Sequence, residues 1–176
     1  MRDLNGPTQS RAIRYLLQSL FVVETVRPSK PLWLLSAWVT DAPVLDNSAR
    51  QFAAIDPEWG AGPVALSGVL RTVLEHGGEV NIVTQPHDLN SAFVDQMRQL
   101  RRQHPGRIRL LLQEDFHDKG LIGDDYEVAG SMNFTRKGIE VNSEHLIYRT
   151  DPVVVAERHL ELKERWKSRL DAATRS

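Results

Sequence analysis

The run Leu32 to Val39, LWLLSAWV, is apolar nearly throughout and only eight residues long. So short a run reads as a strand, and one without polar alternation is buried on both faces, in a parallel or mixed sheet with helices on each side. It belongs at the centre of such a sheet. The segments around it agree. Residues 8–26 carry apolar side chains at 12, 13, 16, 17, 20 and 23, the rhythm of an amphipathic helix, and Pro28 and Pro31 close it. Val64 to Glu75 repeats that rhythm up to Gly77-Gly78. Asn90 to His104 reads as another helix, capped by Asn90 or Ser91 and stopped before Pro105. Val80 to Thr84 and Arg107 to Leu112 read as strands, and Asp41 to Gly62, rich in Pro, Gly, Asn and Asp, as a long loop. Two short strands within 117–133, a return strand from Glu144 to Arg149 and a helix from Pro152 to about Ala172 complete the chain. The predicted order is α, β, α, β, α, β, β, β, β, α, an α/β fold whose mixed, largely parallel sheet carries helices on both faces.

At 176 residues the chain fits one domain, with residues 1–28 as an N-terminal helical segment and 152–176 as a C-terminal helix. Its 41% hydrophobic and 26% charged content excludes a disordered or fibrous chain. The absence of cysteine excludes disulfides and cysteine-based zinc sites. No run reaches the roughly 18–20 apolar residues of a membrane span. The stretch Tyr15 to Val23 is broken by Gln18 and Ser19 and does not read as a signal peptide, so a cytoplasmic protein that does not enter membranes is expected. A net charge of −1 argues against a uniformly positive surface. Between Asp95 and Glu114, however, lie Arg98, Arg101, Arg102, Arg107 and Arg109 with no acid among them. They form either a solvated helix end or a phosphate-tracking patch, with Arg101 and Arg102 as candidate substrate contacts.

Chemistry concentrates in HDKGLIGDDYEVAGSMNFTRKGIEVNSEH, residues 117–145. His117 and Lys119 are two apart, and so are Ser131 and Asn133; in extended strands such pairs share a face. Two neighbouring strands would then offer an imidazole, an ammonium, a hydroxyl and an amide to one point, a set suited to an anion. This pattern resembles the H-x-K…G-S-x-N signature of the phospholipase D superfamily, phosphodiesterases with a histidine nucleophile. Four residues separate Lys119 from Asp124 as in that pattern, Gly130-Ser131-Met132-Asn133 supplies its second part, and Asn142-Ser143-Glu144 resembles the downstream carboxylate of the small bacterial nucleases. Only five residues lie between Asp124 and Gly130 where the family typically has six, which predicts a tighter hairpin and leaves the role of Asp124 open.

The resemblance implies a phospholipase D-like fold and a two-step substitution at phosphorus. His117 would attack to form a phosphohistidine that water then cleaves. Glu144 would hold a histidine ring in one tautomer, as the acid of a catalytic triad does. Glu140 is the alternative, placed on the same face of an extended strand. Lys119, Asn133 and Ser131 would bind the non-bridging oxygens, each donor worth about 2.7–4 kcal/mol in rate. The leaving oxygen needs a second histidine, and His76, His87, His104, His145 and His159 all lack a lysine two residues on. A homodimer in which His117 of a second copy serves as general acid is therefore expected. Trp38 and Asp41, after the first strand, and His87, after the second, are candidate substrate contacts where such sheets place ligands. No carboxylate-histidine cluster sits at ligand spacing, so neither a metal nor another cofactor is expected.

The segments LWLLSAWVTDAPVLDN, EWG, GDDYEVAGSMNFT and the final helix are further similar to small phospholipase D-like proteins encoded with bacterial DNA-modification and defence systems, some concerned with deazaguanine in DNA. That similarity implies an endonuclease acting on DNA, working with other subunits of such a system. The competing readings are a nucleic-acid-binding or assembly subunit with little turnover, and a lipid or small-diester hydrolase. The last is weakened by the absence of a basic amphipathic helix with exposed aromatics.

Overall fold

The computed structural model describes residues 2–4, 7–140 and 145–175. The elements run β1 (Arg2–Leu4), α1 (Pro7–Val26), β2 (Leu32–Leu35), β3 (Pro43–Asp46), β4 (Pro63–Ala65), α2 (Leu66–Glu75), β5 (Val80–Thr84), α3 (Ser91–Gln103), β6 (Ile108–Leu112), β7 (Gly120–Gly123), β8 (Tyr126–Gly130), α4 (Arg136–Glu140), β9 (Leu146–Arg149) and α5 (Pro152–Arg175), with a 3-10 turn at Asp88–Asn90 before α3. Seven strands form one sheet in the order β1-β9-β8-β7-β2-β5-β6, and β3 and β4 pair separately. The sheet is mixed, and β2 lies inside it as its apolar run requires. β2–β5 and β5–β6 are parallel pairs, whereas β2–β7, β7–β8, β8–β9 and β1–β9 are antiparallel. Following these directions, β1, β2, β5, β6 and β8 all point the same way, so most strands are parallel in direction although parallel pairing is confined to one half.

Side-chain alternation explains the two covered faces. Leu32 and Leu34 of β2 pack into the core formed with α1 to α4, among Phe21, Leu70, Phe93 and Ile139. Trp33 and Leu35 point the other way, against Leu162, Trp166 and Leu170 of α5. All four β2 side chains are at most 1% exposed, and burying an apolar side chain of this size is worth about 1.5–3 kcal/mol. A polar substitution anywhere in β2 would therefore enter a core.

Several local expectations are corrected. The first strand ends at Leu35 because Ser36 turns back on itself, its hydroxyl donating to the Trp38 carbonyl at 2.6 Å. Val39 then makes a lone parallel bridge to Phe134. The presumed loop contains β3, paired with β4, and is organised by Asn47, whose amide donates to the Trp59 and Gly60 carbonyls and accepts from the Phe52 N–H. A short helix, α4, follows Thr135 where an extended approach to the return strand was expected. The Thr135 hydroxyl accepts from the Gly138 N–H at 3.1 Å, satisfying a donor of the first turn. Asn90 and Ser91 do not cap α3: the Ser91 hydroxyl donates to Asp88 O, and the Asn90 amide reaches into the core. Among the described residues no helix is long and apolar enough to cross a membrane.

Candidate active site

The register of the sheet brings six chain ends to one edge. Leu35 at the end of β2 pairs with Gly120 at the start of β7 and with Val83 of β5. Thr84 pairs with Leu112 at the end of β6, Gly120 with Ala129, and Gly130 at the end of β8 with Leu146 at the start of β9. His117 and Lys119 therefore enter this edge just before β7, Ser131 and Asn133 leave it just after β8, and His145 sits there immediately before β9. Glu144 lies outside the described residues. His117 and Lys119 are not strand residues, as the spacing had suggested. They occupy an irregular segment before β7.

With no ladder to hold it, that segment depends on side chains. Gln85 Nε2 donates to the Phe116 carbonyl at 2.7 Å. The Phe116 ring meets Trp166 of α5 edge-on, with centroids 5.6 Å apart. Asp118, between the two candidate catalytic residues, pairs with Arg165 of α5 at 2.7 Å. The Lys119 ammonium donates to the His117 carbonyl at 2.9 Å, which folds the dipeptide against itself, and the His117 side chain is exposed.

The other half of the edge is set by amides and a glycine. Asn133 Oδ1 accepts from the Trp38 N–H at 3.2 Å and lies 3.5 Å from the Ser36 hydroxyl. With its oxygen engaged, Asn133 keeps its NH₂ end as a donor for an anion. Ser36 also accepts from the Phe134 N–H at 3.0 Å, tying the two segments together. Behind them Asn90, fully buried, donates to Ala37 O, Thr84 Oγ1 and Gln85 O and accepts from the Val39 N–H, all at 2.8–2.9 Å. Ser131 exchanges two bonds with His145, donating its N–H to the His145 carbonyl and accepting the His145 N–H on its hydroxyl, both at 3.0 Å. The carbonyl of His145 lies so close that a Cβ on Gly130 would be 1.9 Å from it.

Of the substrate-contact candidates, Trp38 and His87 are at this edge. Trp38 is 46% exposed beside Asn133, and His87, exposed after β5, accepts the Leu89 N–H on Nδ1 and opens the 3-10 turn. Asp41 is a helix cap instead: its carboxylate accepts from the Ser67 N–H and hydroxyl, both at 2.8 Å, at the start of α2. Arg101 and Arg102 are in the last turn of α3, which begins near the edge and runs back to the far end of the sheet, about 15 Å away at 1.5 Å per residue. There Arg101 donates to the Ala173 carbonyl. The rest of the arginine run is also engaged within the fold: Arg98 with Asp95, Arg107 with Leu74 O, Arg109 with Glu79 and Asp171. Glu140 belongs to α4 and not to an extended strand.

Asp124 is also at the far end. It sits in the two-residue turn of the β7–β8 hairpin, where its carboxylate accepts from the Lys30 N–H and its own N–H donates to the Ser29 hydroxyl. The hairpin stays in register from Gly123–Tyr126 to Gly120–Ala129, and its turn lies about 10 Å from Gly120 at roughly 3.3 Å per strand residue. Glu24 anchors the same corner, accepting from the Ser29 N–H and hydroxyl. Burial pushes its carboxyl above the usual range, outweighing those hydrogen bonds. Among the described residues no three His, Asp or Glu side chains group closely enough to hold a metal ion.

Sequence reasoning missed the residues that position this edge, namely Ser36, Gln85 and Asn90. A polar residue inside the run LWLLSAWV was the one available signal for Ser36. Asn90 looked like an ordinary helix cap.

Comparison with known proteins bears on this geometry. The family model described as "Cardiolipin synthase, PLD-like domain" matches residues 62–166, a span that holds His117, Lys119, Ser131 and Asn133. No curated protein matches the sequence significantly. Nuc from Salmonella typhimurium, a phospholipase D family member, superposes with a TM-score of 0.58 at 18% identity, covering 94% of this chain and 93% of that one. NucT from Helicobacter pylori superposes with a TM-score of 0.59 at 16% identity, covering 95% of each. TrmBL2, an archaeal chromatin protein whose structure is described as showing a novel mode of DNA binding, gives a TM-score of 0.53 at 15% identity over 95% of this chain and 52% of that one. A family match over more than half of its length, on a fold shared nearly end to end, means that the chain belongs to the phospholipase D superfamily.

Proposed function

We propose that the chain is a phosphodiesterase, an endonuclease acting on DNA in the cytoplasm as part of a bacterial modification or defence system. The observation that carries this reading is the arrival of His117, Lys119, Ser131 and Asn133 at one sheet edge, with the Asn133 amide oriented as a donor by Trp38 and Ser36. His117 attacks phosphorus, a histidine nitrogen–phosphorus bond forms, and the bond to the leaving oxygen breaks. Water then displaces the histidine. Lys119 and the Asn133 amide neutralise the charge that develops on the non-bridging oxygens, and Ser131 braces the end of β8 against His145. A proton must reach the leaving oxygen in the first step and leave the attacking water in the second. His117 of a second copy moves it both times, so the site is completed in a homodimer. Glu144 holds a histidine tautomer in this scheme, and no step calls for a metal ion. Support for DNA as substrate comes from the fold shared with Nuc and NucT and from the likeness to TrmBL2.

End-labelled DNA incubated with the purified protein in EDTA is the test. Cleavage that disappears in His117→Ala is the expected result. Binding without cleavage in both proteins would replace the enzyme with a DNA-binding subunit of the same system.

A further inference from the structure

At the end of the sheet opposite His117, α5 and the parallel strands enclose a cavity of about 220 Å³. Four cations, Lys30, Arg109, Lys163 and Lys167, line it against two carboxylates, Glu79 and Asp171. The carboxylates are only partly matched to them. Arg109 is held loosely, at 3.4 Å from Glu79 and 3.5 Å from Asp171, and Lys167 takes Asp171 at 2.5 Å. The ammonium groups of Lys30 and Lys163 have no carboxylate among the described residues. The cavity thus carries an excess of positive charge over a wall that also includes Pro31 and Leu170.

Its inner wall is unusual for a sheet interior. Asn81 interrupts the apolar face of a central strand at 6% exposure, and Trp33, 1% exposed, has an indole N–H with no acceptor among the described residues. Buried donors are almost always paired, because an unpaired one forfeits the bond that it made to water. Asn81 Oδ1 already accepts from Arg109 at 3.5 Å, so it is the unpaired Trp33 indole N–H on the wall of a cationic cavity that points to a ligand with its own acceptors. The volume falls below the roughly 300–1,000 Å³ of drug-sized sites, so the cavity takes a group the size of a single base, and the remainder of such a ligand stays at its mouth.

We propose that this cavity binds a mononucleotide, with the base against Trp33, Pro31 and Leu170 and within reach of Asn81, and with the phosphate held at the mouth by Lys30 and Lys163. The cavity would bind it whether or not the opposite edge cleaves DNA, since the two share no residue. Isothermal titration calorimetry with deoxyadenosine monophosphate, inorganic phosphate and deoxyadenosine provides the test, on the native chain, the double variant Lys30→Gln/Lys163→Gln and, to silence the sheet edge, Lys119→Ala. The nucleotide should bind once per chain, more tightly than phosphate or the nucleoside alone. Affinity should fall at least about tenfold in the double variant, as expected when two charged contacts are removed, with thermal denaturation unchanged. It should persist in Lys119→Ala. The proposal is overturned by the absence of saturable heat at millimolar nucleotide, by equal affinity in the double variant, by phosphate binding as tightly as the nucleotide, or by loss confined to Lys119→Ala.

Discussion

Replacing Asn90 with alanine should damage stability and catalysis together, and the size of the effect follows from its four hydrogen bonds. The amide NH₂ has two hydrogens for three acceptors, Ala37 O, Thr84 Oγ1 and Gln85 O, and the amide oxygen takes the Val39 N–H. After truncation Ala37 O still receives the Gln85 N–H and the Thr84 hydroxyl, each at 3.3 Å, so that acceptor stays paired. The Val39 N–H does not. It is buried and loses its acceptor, at about 1–3 kcal/mol. Gln85 O keeps the His87 N–H at 3.0 Å, so it too stays paired. A total of about 1–3 kcal/mol results, an appreciable part of the roughly 5–15 kcal/mol that stabilises a typical domain. Asn90→Asp should cost more, because its carboxylate would face the same acceptors without donors. Since Ser36 to Val39 carries the N–H that orients Asn133, kcat for DNA cleavage should fall as well. Urea denaturation and initial rates on the two variants measure both effects. A loss below about 1 kcal/mol in either variant, or full turnover in a folded one, would refute the assignment of Asn90 as the brace of this edge.

Other expectations follow from single contacts. Gly130→Ala should lower the melting temperature by several degrees or more, since the added Cβ would stand 1.9 Å from the His145 carbonyl oxygen; an unchanged scanning-calorimetry profile would contradict it. Arg165→Ala removes a partly exposed ion pair worth at most about 1 kcal/mol of stability and a guanidinium 4.6 Å from the Trp166 ring centroid, worth about 0.5–1 kcal/mol, yet it should also reduce kcat more than KM because it frees Asp118 inside the H-x-K segment; parallel denaturation and rate measurements decide. The raised pKa of Glu24 means that the folded state binds its proton more tightly than the unfolded state, whose ordinary value is 4.5. Its contribution is fully present below that value and is lost as pH rises through the folded pKa. Unfolding free energies of native and Glu24→Gln protein should therefore shift in favour of the variant as pH rises from about 4.5, and a pH-independent difference would contradict the sign.

What the sequence made legible depended on length and period. α1, β5, α3 and α5 are long or strongly patterned and appear within a few residues of where periodicity puts them. β1, β3, β4 and α4 span three to five residues, too few for a period to emerge, and tertiary pairing rather than propensity decides them. At the site, the spacing of His117, Lys119, Ser131 and Asn133 was readable because the two ends of a hairpin return to one edge. The arginine run was misleading, since a chain without coordinates cannot say which end of α3 faces the substrate. Asp41 was read from its place after a strand, and Ser67, 26 residues later, was the partner that settled it. Asn90 satisfied a local rule for helix starts while serving backbone groups up to 53 residues away.

The β7–β8 hairpin separates length from alignment. Its open end pairs Gly120 with Ala129, next to the segments that carry the candidate catalytic residues, and its closed end is anchored independently through Ser29, Lys30 and the Arg27–Asp125 ion pair. A residue added or lost between Gly123 and Tyr126 changes only the loop, whereas one added within Gly120–Gly123 would slip the strand by one and turn every side chain to the opposite face. Relatives can therefore differ in hairpin length without any change in the spacing of the groups at the sheet edge, and the turn at Asp124-Asp125 is the position in this half of the fold for a peptide insertion or a spectroscopic probe.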